Sequence, residues 1–270
     1  MVAVASLAVL ALLALTMIEA TRGSTRSARA ELDRARLTAA ADAGVALAVQ
    51  GLAQPSAARR WRPGGPPRTV TFGEATLEIR IEEELAKVPL NSLNDRQVET
   101  LLAEFGLKGA ELEEARDAFL DWRDGDDEAR LRGAEEADYA ALGIRPRNGA
   151  LRTNQELAAI PAIGPELALR MDPYVSVFTP VGGRFAQGNA TPLARRVMAD
   201  RVSEDGFAGV AVAEGGLGEA ELGRVDDGVS GRPLRVIVTA RGSGGSAARR
   251  NVVIELTGNP QRPYVVRARE

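Results

Sequence analysis

Histidine and cysteine are both absent from the 270 residues. Without imidazole or thiol there is no Ser-His-Asp or Cys-His nucleophile system, no nitrogen- or sulfur-ligated zinc site and no disulfide framework. Lysine is nearly missing too: Lys87 and Lys108 are the only two, so arginine carries the positive charge. Acidic and basic residues almost cancel, 37 against 34 for a net charge of -3, and such a balance gives no field that argues for nucleic acid as a partner. Aromatic residues make up only 4%, so the core has to be built from Leu, Val, Ile and Ala. Carboxylate, hydroxyl and amine chemistry remain. Any metal site must be oxygen-only, which narrows the metal to calcium.

Charge is also missing locally. From Met1 to Ile18 no side chain is charged, and Ser6 and Thr16 alone interrupt an Ala, Val and Leu run. As a helix this run is about 27 Å long, close to the hydrocarbon thickness of a bilayer. A cleaved secretory signal would need a basic residue ahead of a shorter apolar stretch and a small-residue cleavage site, whereas Glu19-Ala20-Thr21-Arg22 follows here. The expectation is a retained membrane helix, with Val4, Leu7, Leu10, Leu13 and Ile18 against membrane lipid. No proline occurs from there to Leu52, and Ala28, Leu32, Ala35, Ala39, Ala43, Ala46 and Val49 recur every three or four residues. That spacing predicts a continuous stalk helix with arginines 22, 26, 29, 34 and 36 on its wet side. The stripe through Leu32, Ala35, Ala39 and Val49 is expected to meet partner stalks, since an apolar stripe leaving a bilayer would otherwise be wet.

Downstream, Gln54–Pro67 is a loop by its prolines and glycines, and Arg59, Arg60, Arg62 and Arg68 in and beside it are expected to be solvated. Thr69–Phe72 and the alternating Leu77, Ile79 and Ile81 predict two strands turning at Gly73. Between Pro89 and Pro173 the period becomes helical. Asn94 caps a helix that stops at Gly106, and a second helix runs from about Ala110 through Trp122. Thr153 and Glu156 form a capping box ahead of Leu157 and Ile160, and Gly164-Pro165 restarts a helix. The segment from Val181 to Gly231 is glycine-rich, with one short helix expected near Pro192–Ala199. Strand periodicity returns at Leu234–Thr239, Asn251–Leu256 and Tyr264–Arg267. Strands flanking a helical stretch must pair across it, which predicts an α+β fold: a long N-terminal helix packed on an antiparallel sheet, with an all-helical domain inserted between strands. The expected divisions are 1–53 (membrane helix and stalk), 54–88 (first strands), 89–180 (helical insert), 181–231 (glycine-rich segment) and 232–270 (closing strands).

Several stretches carry a family likeness. They are Val88-Pro89-Leu90-Asn91-Ser92-Leu93-Asn94, Ala118 through Asp126 with its Asp121-Trp122-Arg123-Asp124, Gly133-Ala134-Glu135 with Tyr139, Asn148-Gly149, and Glu156-Leu157 before Ile160-Pro161. Together with the N-terminal helix they resemble the K-class minor pseudopilin of the type II secretion system, the general secretion pathway protein K family. The resemblance implies a pilin-like stalk and sheet, an inner-membrane single-pass protein with its bulk in the periplasm, and a structural role in protein secretion instead of catalysis. It implies I-class and J-class minor pseudopilins as partners at the pseudopilus tip, contact with the inner-membrane secretion platform, and maturation by prepilin peptidase. Members are made with a short basic leader cut after a glycine, so Met1 is expected to be the mature first residue or a misplaced start. Most pilins place a glutamate at position five; the K class lacks it, and Ala5 stands here. Where the family has Asn-Val-Asn-Thr-Ala-Pro, this chain has Gly188-Asn189-Ala190-Thr191-Pro192, so the second helical segment is expected to be degenerate.

Relatives in that family bind calcium. The acidic cluster of Asp121, Asp124, Asp126, Asp127 and Glu128, with Glu135, Glu136 and Asp138 nearby, offers oxygen ligands on a loop after a helix. Asp121, Asp124, Asp126, Asp127 and Glu135 are therefore the candidate metal residues. Their spacing does not fit an EF-hand, and turn-capping or a solvated acidic face is the alternative reading. Two rival functions have some basis in the sequence. Ile160–Ala168 resembles a helix-hairpin-helix, which on a membrane-anchored protein would suggest DNA uptake, but Ala162 replaces the first glycine and Arg170 is the only nearby cation. A hydrolase pairing Glu135 with Asp121 rests only on the abundance of acids. Phe119 and Trp122, one turn apart, are expected in the core.

Overall fold

The structure, a computed structural model, describes the backbone of residues 2–140, 142–179, 190–199, 229–259 and 261–269, and side chains from residue 25 onward. The chain forms two compact units. Met1–Glu82 and Leu234–Glu270 make the first, and Glu83–Pro233 the second.

The first unit begins with α1 (Val2–Leu52), a single 51-residue helix. Strands β1 (Arg68–Phe72) and β2 (Ala75–Glu83) pair antiparallel about Gly73, whose φ of 58° suits glycine in the turn. After the second unit the chain returns as β5 (Pro233–Arg241), β6 (Ala247–Asn259) and β7 (Arg262–Arg269). The five strands make one sheet in the order β1-β2-β5-β6-β7. Alternation in β2 buries Ala75, Leu77, Ile79 and Ile81, and β5 buries Leu234, Val236, Val238 and Ala240. This is the apolar face a sheet needs against a helix.

The helix face that meets it is Leu37, Ala41, Val45, Ala48 and Leu52, together with Ala40 and Val49. Each of its large residues gains about 2 kcal/mol from burial. Gly44 lies within this face, where an added Cβ would approach Val238 Cγ1 to 2.5 Å. The missing side chain lets the helix close onto β5. Arg250 on β6 clamps the other side of the helix by two hydrogen bonds to the Asp42 carboxylate, at 2.6 and 3.1 Å.

In the second unit, β3 (Val88–Pro89) pairs in parallel with β4 (Val175–Ser176). This two-rung ladder ties the start of the helical region to its end. Between them run α2 (Asp95–Glu104), α3 (Gly109–Arg123), α4 (Glu136–Ala140) and α5 (Gly164–Met171), and α6 (Pro192–Val197) follows β4. Asn94 and Gln97 close a reciprocal capping box on α2, at 2.9 and 3.0 Å. Phe119, Trp122, Tyr139, Leu157, Ile160 and Met171 anchor the core, and Trp122 meets Tyr139 edge-on at 5.5 Å. Arg123 reaches back from α3 to donate to the carbonyls of Leu90 and Leu93, at 2.7 and 2.6 Å. The Asn91 amide pairs both ways with the Leu151 backbone.

One expected helix differs in kind. Residues Asn154–Ala159 form a 3-10 turn, not an α-helix. Ile160 precedes Pro161, and a residue in that place is pushed to extended backbone, so the turn has no room to propagate. Of the glycine-rich segment 181–231, residues 190–199 and 229–231 are described and the rest lies outside the described residues.

Candidate functional site

The acidic residues of α3 and the loop after it divide into two sets. Asp117 and Asp121 lie one turn apart on α3 and are buried. Both bind the returning loop through its backbone. Asp117 accepts from the Arg132 N–H at 3.2 Å and from Arg116, and Asp121 accepts from the Arg130 N–H at 3.0 Å. The Ala134 backbone also favours the charged form of Asp121. Gly133 permits that approach, because a Cβ there would lie 1.7 Å from Asp121 Oδ2. Asp121 thus acts as the spindle around which residues 130–134 turn.

The second set gathers on the loop, with Glu135 buried, Asp124 half-buried and Asp126 exposed. Asp124, at the C-terminal cap of α3, Asp126 and Glu135 each bring a carboxylate oxygen to within 4.8 Å of the other two. Oxygens that share one calcium ion lie at most about 5 Å apart. Glu135 is only 5% exposed, yet neither of its oxygens has a hydrogen-bond partner among the described residues. Asp124 Oδ1 is in the same condition. So is Asn148 Oδ1, whose own Nδ2 donates to the Asp126 carbonyl at 3.0 Å and to Asp127 Oδ1 at 2.7 Å. Asn148 adopts a positive φ of 47°, a conformation asparagine tolerates better than most residues.

The electrostatics agree. Burial, followed by repulsion from Asp121, Asp124, Asp127 and Asp126, pushes the Glu135 carboxyl up to about 7. Burial also raises Asp124 and Asp121, with Arg130 pulling both back. Tyr139 rises to about 12 through burial and the neighbouring acids. Buried acceptors without donors, in a cluster with excess negative charge and no nitrogen or sulfur ligand, fit a hard divalent cation.

Of the five metal residues expected from sequence, three are brought together: Asp124, Asp126 and Glu135. Asp121 is engaged by the Arg130 backbone N–H and guanidinium, and Asp127 is held by Asn148. Sequence reasoning did not connect Asn148 with this loop, to which its amide is bonded. Its signal was the Asn148-Gly149 pair, which marks a turn able to aim a side-chain oxygen inward.

On α1, Leu32 is 50% exposed, and Ala35 and Ala39 are exposed beside it. Val49 is 6% exposed and belongs to the core under the sheet, so the outward stripe ends before it. A groove of about 600 Å³ opens between Ala39, Ala40 and Ala43 on the helix, Phe72 at the β1–β2 turn and Gly242–Ser243 at the β5–β6 turn. Phe72 is 46% exposed. Among the described residues no helix is long and apolar enough to cross a membrane, and the side chains of Val4, Leu7, Leu10, Leu13 and Ile18 lie outside the described residues.

The hairpin at residues 160–164 uses its turn N–H groups internally. Its Ile163 and Gly164 N–H groups both donate to the Ile160 carbonyl, at 2.9 and 2.8 Å. Ile160, Ile163 and Leu167 are buried, and Arg170 is turned onto the Phe105 carbonyl and ring. These contacts do not favour the helix-hairpin-helix reading.

No curated protein matches the chain. A family model described as type II secretion system protein K matches residues 81–180, which hold the candidate cation site and most of the second unit. Five chains of solved structures match. In one, a chain of the GspK-GspI-GspJ complex from the type II secretion system of enterotoxigenic Escherichia coli, the likeness has a TM-score of 0.65 at 13% identity and covers 90% of this chain and 98% of that one. Helix-on-sheet with a helical unit between strands is the fold the two have in common. Residues 81–180 are thus similar to the type II secretion system protein K family.

Proposed function

We propose that the protein is a minor pseudopilin at the tip of the type II secretion pseudopilus, where it starts fibre assembly with I-class and J-class partners and supports export of folded cargo. One observation carries this reading. The protein K match covers most of the unit that interrupts a helix-on-sheet fold, and that fold is shared with a chain from a complex named for three such subunits. The role is structural, with no catalysis assigned. The uncharged run at the N-terminus anchors the chain once in the inner membrane, among lipid and beside the secretion platform, after prepilin peptidase has removed a leader. The rest lies in the periplasm.

Partner stalks meet α1 along Leu32, Ala35 and Ala39 and continue into the groove beside Phe72, because this surface is apolar, small-residued and exposed. Replacing Ala35 and Ala39 together by Asp adds two charges to that face without touching the core. Co-purification of tagged full-length protein with its I-class and J-class partners is expected to fail for the double variant, and undiminished recovery would refute this interface.

Calcium is the ion proposed for the second unit, held by Asp124, Asp126 and Glu135, with the Asn148 side-chain oxygen at their edge. The ion would supply the positive charge these carboxylates lack and would fix the loop. Calorimetric titration of chelator-stripped protein with calcium chloride is expected to show binding. Absence of both heat and a melting shift would reject it.

A further inference from the structure

Arg130 is the residue that makes the cation site unusual. Its Nη1 lies 3.3 Å from Asp124 Oδ2 and 3.5 Å from Asp121 Oδ1, while its backbone N–H donates to Asp121 Oδ2 at 3.0 Å. Asp124 therefore serves two demands. One oxygen faces the guanidinium; the other is buried without a partner, and the carboxyl group lies within 4.8 Å of ligand atoms from Asp126 and Glu135. Glu135, 5% exposed with both oxygens unpaired, marks the place where a cation is wanted and the guanidinium does not reach.

We infer that Arg130 is a resident counter-cation: it holds the acidic loop together when no divalent ion is bound, and it sets calcium affinity by opposing the ion across Asp124. This rests on the calcium reading of the site. A guanidinium in contact with a ligand carboxylate withdraws negative charge from the ion and repels it directly. At separations of a few ångströms in a partly buried site that repulsion changes an equilibrium by about tenfold or more. The main chain makes the idea testable. The loop is tied to α3 by the N–H of residue 130 on Asp121 and the N–H of Arg132 on Asp117, and neither bond depends on the Arg130 side chain. The side chain is 35% exposed, so shortening it leaves no closed cavity.

The experiment is calorimetric titration with calcium chloride on full-length protein in detergent, stripped with chelator, paired with thermal melts in chelator. Arg130→Met and Arg130→Gln are expected to bind calcium about tenfold more tightly than wild type and to melt at a lower temperature without it. Arg130→Lys, which keeps the charge, is expected to stay near wild type on both counts. Equal or weaker calcium binding by the Met and Gln variants overturns the inference, as does a Lys variant that binds as tightly as the Met variant. A wild type that takes up no calcium removes the calcium reading and this inference together. A wild type that binds calcium with affinity unshifted in Arg130→Met removes only the role of Arg130.

Discussion

Replacing Glu135 by Gln is expected to stabilise the metal-free protein and to abolish its response to calcium. In the folded chain the Glu135 carboxyl titrates at about 7, against 4.5 for the free group. At 1.36 kcal/mol per unit that difference is roughly 3 kcal/mol, and solvent screening near the loop mouth lowers it to about 2 kcal/mol. The sign follows from proton linkage. Between pH 4.5 and about 7 the native state holds this proton more tightly than the unfolded chain, so stability falls as pH rises through that window and the loss is complete above it. Gln keeps the shape and removes the charge. In chelator at pH 7.5 the variant should melt about 4 to 8 °C above wild type, at 2 to 4 °C per kcal/mol for a chain of this size. With calcium at a hundred times its dissociation constant, wild type should gain about 2.7 kcal/mol and the variant almost nothing. Differential scanning calorimetry in chelator and in calcium reads both. A variant that melts below wild type in chelator, or keeps the calcium shift, would refute the argument that these acids lack a cation.

Gly44→Ala places a Cβ 2.5 Å from Val238 Cγ1, and overpacking of that kind costs about 1 to 3 kcal/mol; a melting temperature unchanged within a degree would show that helix and sheet are looser than described. Gly133→Ala collides with the fully buried Asp121 carboxylate, so it should cost about 3 kcal/mol and weaken calcium binding by displacing Glu135. Circular dichroism melts and calcium titration check both effects. Tyr139→Phe removes a hydroxyl that is buried, unpaired and close to several acids, and it should be neutral or stabilise by about 1 kcal/mol. A loss beyond 1 kcal/mol in urea unfolding would mean that the hydroxyl has a partner.

Much of the secondary structure was legible because local chemistry punctuates it. Asn94 with Gln97, Gly164-Pro165, and the alternation in β2 each announce an element through a capping or periodic rule. The parallel pairing of Val88-Pro89 with Val175-Ser176 was not legible, since two-residue strands have no period and pair over 87 positions. The covered face of α1 was not legible for a different reason, and Val49, placed with the outward stripe, belongs to it. The helix is rich in alanine on every side, so a stripe through Leu32, Ala35 and Ala39 looks as regular as the face through Leu37, Ala41 and Val45 that the sheet covers. Gly44, needed where β5 comes close, marks the covered face. At the acidic loop, sequence could list the carboxylates but could not sort them. Which acids bind backbone and which are left unpaired depends on how residues 130–135 fold over α3. Asn148 joins them across 21 residues from Asp127.

The secretion role can be tested directly by deleting the gene in its host and measuring release of the type II system's cargo into the medium, with wild-type and Ala35→Asp/Ala39→Asp copies supplied in trans. A minor pseudopilin predicts cargo retained in the periplasm, export restored by the wild-type copy and no restoration by the double variant. Export that continues undiminished in the deletion strain would contradict it.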